Sequence, residues 1–256
     1  MRPGCGDLGR DAKILTHKEL YVTTKDPSAA SPVVVLLSGG LDSSTTLAMA
    51  RDRGQEAHAL TVRYGQRHDR ELQAASEVAT RLGAISHRVM HVDLGAIGGS
   101  ALTDPDISMP QDRDSTQMAA GIPVTYVPAR NTVMLSLALG LAEVLEARSI
   151  YIGVNAVDYS GYPDCRPEFL AAFERLASVA TRAGVEGAPL RIEAPLLRMT
   201  KADIVHEADR LGVPLESTWT CYEPAPDGRA CSRCDACILR LKGFEEAGER
   251  DPLAYA

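Results

Sequence analysis

Between residues 33 and 50 the sequence reads VVVLLSGGLDSSTTLAMA. Gly39 and Gly40 follow a short apolar run, and Ser38, Asp42 and Ser43 place hydroxyls and a carboxylate around them. Glycines between a strand and a helix let backbone N–H groups approach phosphate oxygens, and the helix N-terminus adds partial positive charge. A Walker A loop, GxxxxGK[ST], also carries a lysine that reaches the β- and γ-phosphates for γ-phosphoryl transfer. No lysine stands here, and hydroxyls and a carboxylate take its place. The bland alternative is a tight strand-to-helix turn capped by Asp42 or Ser43. Cations for a bound phosphate are available in Arg130, in VPARN, and Lys201, in TKADI, both near expected helix starts that follow strands. An open α/β sheet puts its ligand at such positions. Taken singly, each is as readily a solvated surface charge.

Four of the six cysteines cluster in CYEPAPDGRACSRCDAC as Cys221, Cys231, Cys234 and Cys237, a C-x9-C-x2-C-x2-C pattern. Four thiolates satisfy a closed tetrahedral Zn²⁺ site with no open position for chemistry, and we read the cluster as structural zinc. A CxxCxxC run also suits an iron–sulfur cluster, and the ligand set alone leaves that alternative open. Cys165 stands alone and reads as a small buried residue, so it is left out of the catalytic set. His68 is either an acid/base helper or an ordinary helix-start residue.

The elements that must position these groups alternate. Val33 to Leu37 is a short apolar run ended by glycines, and a helix over 43–53 follows. AHALTVRY is a second strand, followed by a helix over 69–82 whose Leu72, Ala75, Val78, Ala79 and Leu82 share one face. AISHRVMHVD supplies a third strand. The stretch 94–123 is polar and aperiodic, expected to be a lid, a mobile segment or surface disorder. VTYVP leads into a helix capped by Asn131, SIYIGVNAV is a later strand, and a helix begins near Pro167. LRIEAPL is a short strand, and a helix opens at Thr200 and closes at Gly212. Strands separated by helices imply right-handed crossovers and a doubly wound parallel sheet, fold class α/β. Apolar residues make up 45% of the 256, and none of the apolar runs approaches the roughly 20 residues of a bilayer span. The net charge of −7 disfavours a large nucleic-acid footprint and favours a small-molecule substrate. The first 31 residues lack the apolar core of a secretory signal, so a cytoplasmic location is expected; they read as disordered, as an edge strand, or as an upstream translation start without a role.

SGGLDS resembles the SGGxDS loop of the PP-loop N-type ATP pyrophosphatases, which break ATP between its α and β phosphates. That resemblance gives the stretch Leu37, Ser38, Gly39, Gly40, Leu41, Asp42, Ser43, Ser44 and Thr45 to ATP, with Asp42 orienting the loop or its Mg²⁺. It makes Asp42, Ser43, Arg130 and Lys201 the catalytic set. With YGQRH, VPARN, SGYPDCRPEF, TKADI and the four cysteines added, residues 33 to 241 resemble the 7-cyano-7-deazaguanine synthase family of the queuosine pathway. The resemblance implies a ligase that activates 7-carboxy-7-deazaguanine with ATP, lets ammonia displace AMP to give the amide, and activates the amide again to leave the nitrile. A guanine-like ring shows N–H donors that Asp164 or Glu168 can accept and a face on which Tyr159 or Tyr162 can stack; Arg166 can pair with the substrate carboxylate. The resemblance also implies a homodimer. Two departures from the family pattern stand out: Leu37 where an aromatic is common, and Ala129 where glycine is common. The chain divides into a 1–31 extension, a 32–215 PP-loop domain and a 216–256 zinc-binding segment. Other outcomes are a PP-loop enzyme that modifies a tRNA base, a family member that stops at the amide, and a nucleotide sensor without catalysis.

Overall fold

Residues 33–37 are valine or leucine and alternate between two buried faces, so the first strand needs cover on both sides. The computed structural model describes residues 31–155 and 161–256. Its sheet has five parallel strands, β1 (Pro32–Leu36), β2 (Glu56–Arg63), β3 (Ser86–His91), β4 (Ser149–Tyr151) and β5 (Arg191–Glu193), in the order β3-β2-β1-β4-β5. Val33 and Val35 face Leu47 and Ala50 of α1 (Leu41–Asp52) and Ala75, Val78 and Ala79 of α2 (Arg70–Arg81). Val34 and Leu36 face Leu135, Ala138 and Ala142 of α4 (Arg130–Val144) and Phe173 of α5 (Pro167–Ala180). The doubly wound parallel sheet expected from the sequence is thus present. The order turns back at β1, whose two neighbours are β2 and β4, and the crevice beyond their C-terminal ends is where such sheets place ligands.

The aperiodic stretch 94–123 is neither a free lid nor bare loop. It contains a short helix, α3 (Ser115–Ala119), opened by an Asp114–Gln117 capping box, and it buries Leu94, Ala101, Leu102 and Met109 in the main core. Arg67 Nη2 donates to the carbonyls of Asp104 and Ile107 at 2.8 and 2.6 Å, which fastens the stretch to the end of β2. Helix α7 (Lys201–Arg210) opens on a Thr200–Asp203 capping box, as TKAD foretells. With Phe244 of α8 (Asp235–Glu246), Ile204 and Val205 of α7 form an apolar seam against Leu41 and Ala48 of α1. The expectations for 1–30 and for Tyr159 lie outside the described residues. No helix among the described residues is long and apolar enough to cross a membrane.

One cap differs from the expectation. Asn131 is not the N-cap of α4 but lies inside its first turn, where its Nδ2 donates to the Asp164 carbonyl at 2.9 Å. The cap is Ala129, at φ 54° and ψ 23°. A side chain in this left-handed region costs roughly 1–2 kcal/mol, which explains why glycine suits the site. Ala129→Gly removes that strain but loosens the unfolded chain by about 0.4–1 kcal/mol. The expected net gain is up to about 1 kcal/mol of stability, read from urea unfolding.

Candidate active site and cysteine cluster

The loop after β1 is shaped by its own side chains and by two neighbours. Ser43 Oγ accepts from the Ser38 N–H at 3.1 Å and donates to the Gly40 carbonyl at 3.2 Å, and it lies 3.0 Å from Ser38 Oγ. Gly39 has φ 82°, and a Cβ there would stand 2.5 Å from the Ala75 nitrogen and 2.6 Å from the Glu71 oxygen. The Gly39 carbonyl accepts from the Trp219 N–H at 2.8 Å. Gly40 is the N-cap of α1 and offers no side-chain cap, so the first-turn N–H groups are left to an anion. Gly153, just past β4, is packed tightly on the loop: a Cβ would lie 3.0 Å from the Ser43 nitrogen.

These elements enclose a cavity of about 300 Å³. Leu37, Ser38, Gly40, Leu41, Asp42, Ser43, Arg130, Tyr162 and Lys201 all line it. Ser44 and Thr45 do not. Thr45 Oγ1 donates back to the Leu41 carbonyl at 2.8 Å, and Ser44 is fully buried with a hydroxyl that has no partner. Their hydroxyls are therefore not phosphate ligands in this geometry.

Lys201, the first residue of α7, reaches across to the loop. Its Nζ lies 2.9 and 2.8 Å from the two carboxylate oxygens of Asp42, a half-buried ion pair joining residues 159 positions apart. Gly243 on α8 makes the approach possible: a Cβ there would stand 2.2 Å from Lys201 Cγ and 2.8 Å from Lys201 Cβ. At the opposite wall the Arg130 guanidinium lies over the rings of Tyr64 and Tyr162, at 5.8 and 5.9 Å from their centroids. Burial opposes its charge, but Tyr64, Tyr162 and Tyr222 around it raise its affinity for the proton on balance, so Arg130 is a permanent cation. Burial pushes Tyr64 up to about 12 and Cys165 up to about 11. Cys165 accepts from Asn131 Nδ2 at 3.3 Å and is a buried neutral thiol on the wall.

Of the residues expected to read a deazaguanine ring, Tyr162 is on the cavity wall and bonds Thr125 Oγ1 at 2.9 Å. Asp164, Arg166 and Glu168 are not on the wall. Asp164 is buried with Oδ2 accepting the Asn131 N–H at 3.0 Å, which caps α4, while Arg166 and Glu168 are exposed. His68 likewise leaves the chemistry: Nε2–H donates to the Cys221 carbonyl at 2.9 Å, and burial lowers its affinity for a second proton. Sequence reasoning missed Glu71, Tyr64, Asn155 and Arg240 on the cavity wall. Glu71 lies seven residues after the tyrosine of YGQRH, a signal too weak to read without the fold.

The sulfurs of Cys221, Cys231, Cys234 and Cys237 all lie within 4.8 Å of one another, a set that fits one tetrahedral metal ion. Backbone N–H groups of Cys231, Arg233 and Cys234 donate to Cys221 Sγ and Cys231 Sγ at 3.3–3.4 Å, as suits thiolate acceptors. Hydrogen bonds from Cys221 and Cys237 hold the Cys234 thiol well below its usual range. The stretch 94–123 clasps this cluster. Arg113 pairs with buried Asp235, Arg233 with Asp112, and Gln111 Nε2 donates to Glu223 at 2.7 Å. Trp219 joins the cluster to the loop, since its Nε1–H donates to the Cys221 carbonyl at 3.0 Å while its backbone holds Gly39.

Gly243→Ala gains about 1 kcal/mol of helix propensity yet drives a methyl into the stem of Lys201. The overlap costs about 1–3 kcal/mol, so we expect adenine-nucleotide affinity to fall by about tenfold or more, roughly 1.4 kcal/mol, with a Tm that is lowered despite the helix propensity, as read by titration calorimetry and thermal melting. Cys234→Ser is expected to lower bound metal and Tm together, because binding energy at such a site is folding energy. Full metal content or an unshifted Tm would remove the structural reading of the cluster.

The model of the family described as queuosine biosynthesis protein QueC matches residues 32–248. A 7-cyano-7-deazaguanine synthase of Anaeromyxobacter dehalogenans is 66% identical over 232 residues, 91% of this chain and 99% of that protein. One from Thiobacillus denitrificans is 62% identical over 223 residues, covering 87% of this chain and 97% of that protein, and one from Myxococcus xanthus is 60% identical over 222 residues, covering 87% and 96%. The serine- and glycine-rich loop that opens α1, the cavity it shares with Arg130 and Lys201, and the four-cysteine cluster thus occur in a chain that belongs to the QueC family of queuosine biosynthesis proteins.

Proposed function

We propose that this chain is an ATP-dependent carbon–nitrogen ligase that turns 7-carboxy-7-deazaguanine and ammonia into 7-cyano-7-deazaguanine, with release of AMP and pyrophosphate. The observation that carries the reading is that one cavity is walled by the Ser38–Ser43 loop, the Lys201–Asp42 pair and the aromatic-flanked Arg130. The names carried by the relatives support the same reaction.

A carboxylate oxygen leaves poorly and AMP leaves well, so ATP supplies activation while the protein must position the reactants and absorb negative charge. Ser38, Ser43 and the free N–H groups of α1 hold the departing pyrophosphate. Asp42, itself positioned by Lys201, would help to hold Mg²⁺, which would supply charge neutralisation for the phosphates. Arg130 pairs with the substrate carboxylate, and Tyr162 stacks on the ring. Cys221, Cys231, Cys234 and Cys237 would hold Zn²⁺ as a structural ion; it takes no part in the reaction. The 32–215 portion carries the chemistry and 216–256 completes its wall. The enzyme works in the cytoplasm as a homodimer on small molecules, without stable nucleic-acid binding.

Mass spectrometry of the product formed from 7-carboxy-7-deazaguanine, ATP and an ammonium salt tests the reading. Nitrile with AMP is expected; an amide end product would limit the chain to the first activation, and ADP in place of AMP would refute the reading. Asp42→Ala is expected to lower AMP release by about 10²-fold or more while the melt remains cooperative. Undiminished release would remove Asp42 from the catalytic set.

A further inference from the structure

Making a nitrile from ammonia strips the nitrogen of all three of its protons, so the site needs a group that can take them up. Glu71 stands in the first turn of α2 and lines the same cavity as Ser38, Ser43 and Arg130. Its helix is pressed on the loop, for the Glu71 carbonyl lies 2.6 Å from where a Gly39 Cβ would be. From α4 Arg130 faces it, and from the end of β2 Tyr64 does. The other ionisable groups on the wall are the paired Asp42 and Lys201, Tyr162 and Cys165, Tyr222, and Arg240, which Asp251 holds at 2.8 Å. Most of these are set aside as bases: both carboxylate oxygens of Asp42 are paired with Lys201, Tyr64 and Cys165 are kept protonated by burial, and the arginines are cations. Burial raises Glu71 to about 7, with Arg130 opposing, which suits it to take up and release protons near neutral pH.

We propose that Glu71 is the general base of this site, accepting a hydrogen bond from the incoming ammonia and then the protons it sheds. The proposal rests on the ligase reading above. In the first round the nitrogen lone pair forms the C–N bond, the C–O bond to AMP breaks with its electrons going to AMP, and one N–H proton passes to the Glu71 carboxylate. In the second round the amide oxygen bonds the α-phosphorus as pyrophosphate leaves, and a second proton passes to Glu71. The third proton leaves as the C–O bond breaks and the C–N triple bond forms. Glu71 returns each proton to solvent between steps.

The test compares wild type with Glu71→Gln between about pH 6 and pH 9, with free ammonia held constant. Glu71 accepts protons only when ionised, so wild-type amide formation is expected to rise with pH through about 7 and then level. Glu71→Gln is expected to lower that rate by about 10²- to 10⁴-fold and abolish the rise, while acid-dependent exchange of pyrophosphate into ATP continues. A wild-type rate and pH profile in Glu71→Gln would overturn the proposal. So would parallel loss of exchange, which would give Glu71 a role in building the cavity. Absence of exchange in the wild type would overturn the ligase reading and this proposal with it. If Glu71→Gln does not fold, Glu71→Asp is expected to keep the pH limb at reduced rate, and a flat profile overturns the proposal.

Discussion

Gly39 has almost no space, and much of the site follows from that. Its backbone is wedged against the first two turns of α2 on one side and held by Trp219 on the other. The wedge fixes the turn that lets Ser43 brace Ser38, brings Glu71 beside the phosphate loop, and leaves the start of α1 without a side-chain cap. A loop held this way is preorganised, so little reorganisation is needed when negative charge arrives. The Lys201–Asp42 pair extends the same logic. It spans two helices that pack through an apolar seam, and its geometry depends on a glycine on a third helix.

The parts legible in the sequence were local ones. The strand, glycine turn and helix of 33–50 announce themselves because each is written in consecutive residues, and four cysteines at short spacing need no fold to be seen as one site. TKADI likewise spelled out its own cap. What stayed hidden depends on long-range contacts. SGYPDCRPEF looked like a substrate-reading stretch, yet the Asp164 carboxylate is taken by the N-terminus of α4, 33 residues earlier. Glu71 carries no motif of its own, and its proton affinity is set by burial that only tertiary packing creates.

The stretch 94–123 illustrates the same limit. Its polar, aperiodic composition resembles that of a mobile lid because much of its order comes from contacts distant in sequence, among them an ion pair of Arg113 with Asp235, 122 positions away. Surface ion pairs contribute little singly. Here one partner is buried, and the backbone pairs too, with the Asp112 N–H donating to the Arg233 carbonyl.

Trp219 lies late in the chain, yet it holds a carbonyl belonging to the first loop after the first strand. Synthesis runs from the N-terminus, and domains form as they emerge. The β1 turn therefore leaves the ribosome long before the residues that clamp it, and the finished pocket must await the segment that carries the four cysteines. The clamped shape of the first loop thus becomes a property of the fully made chain, for a nascent molecule that ends before residue 219 lacks the group that holds it.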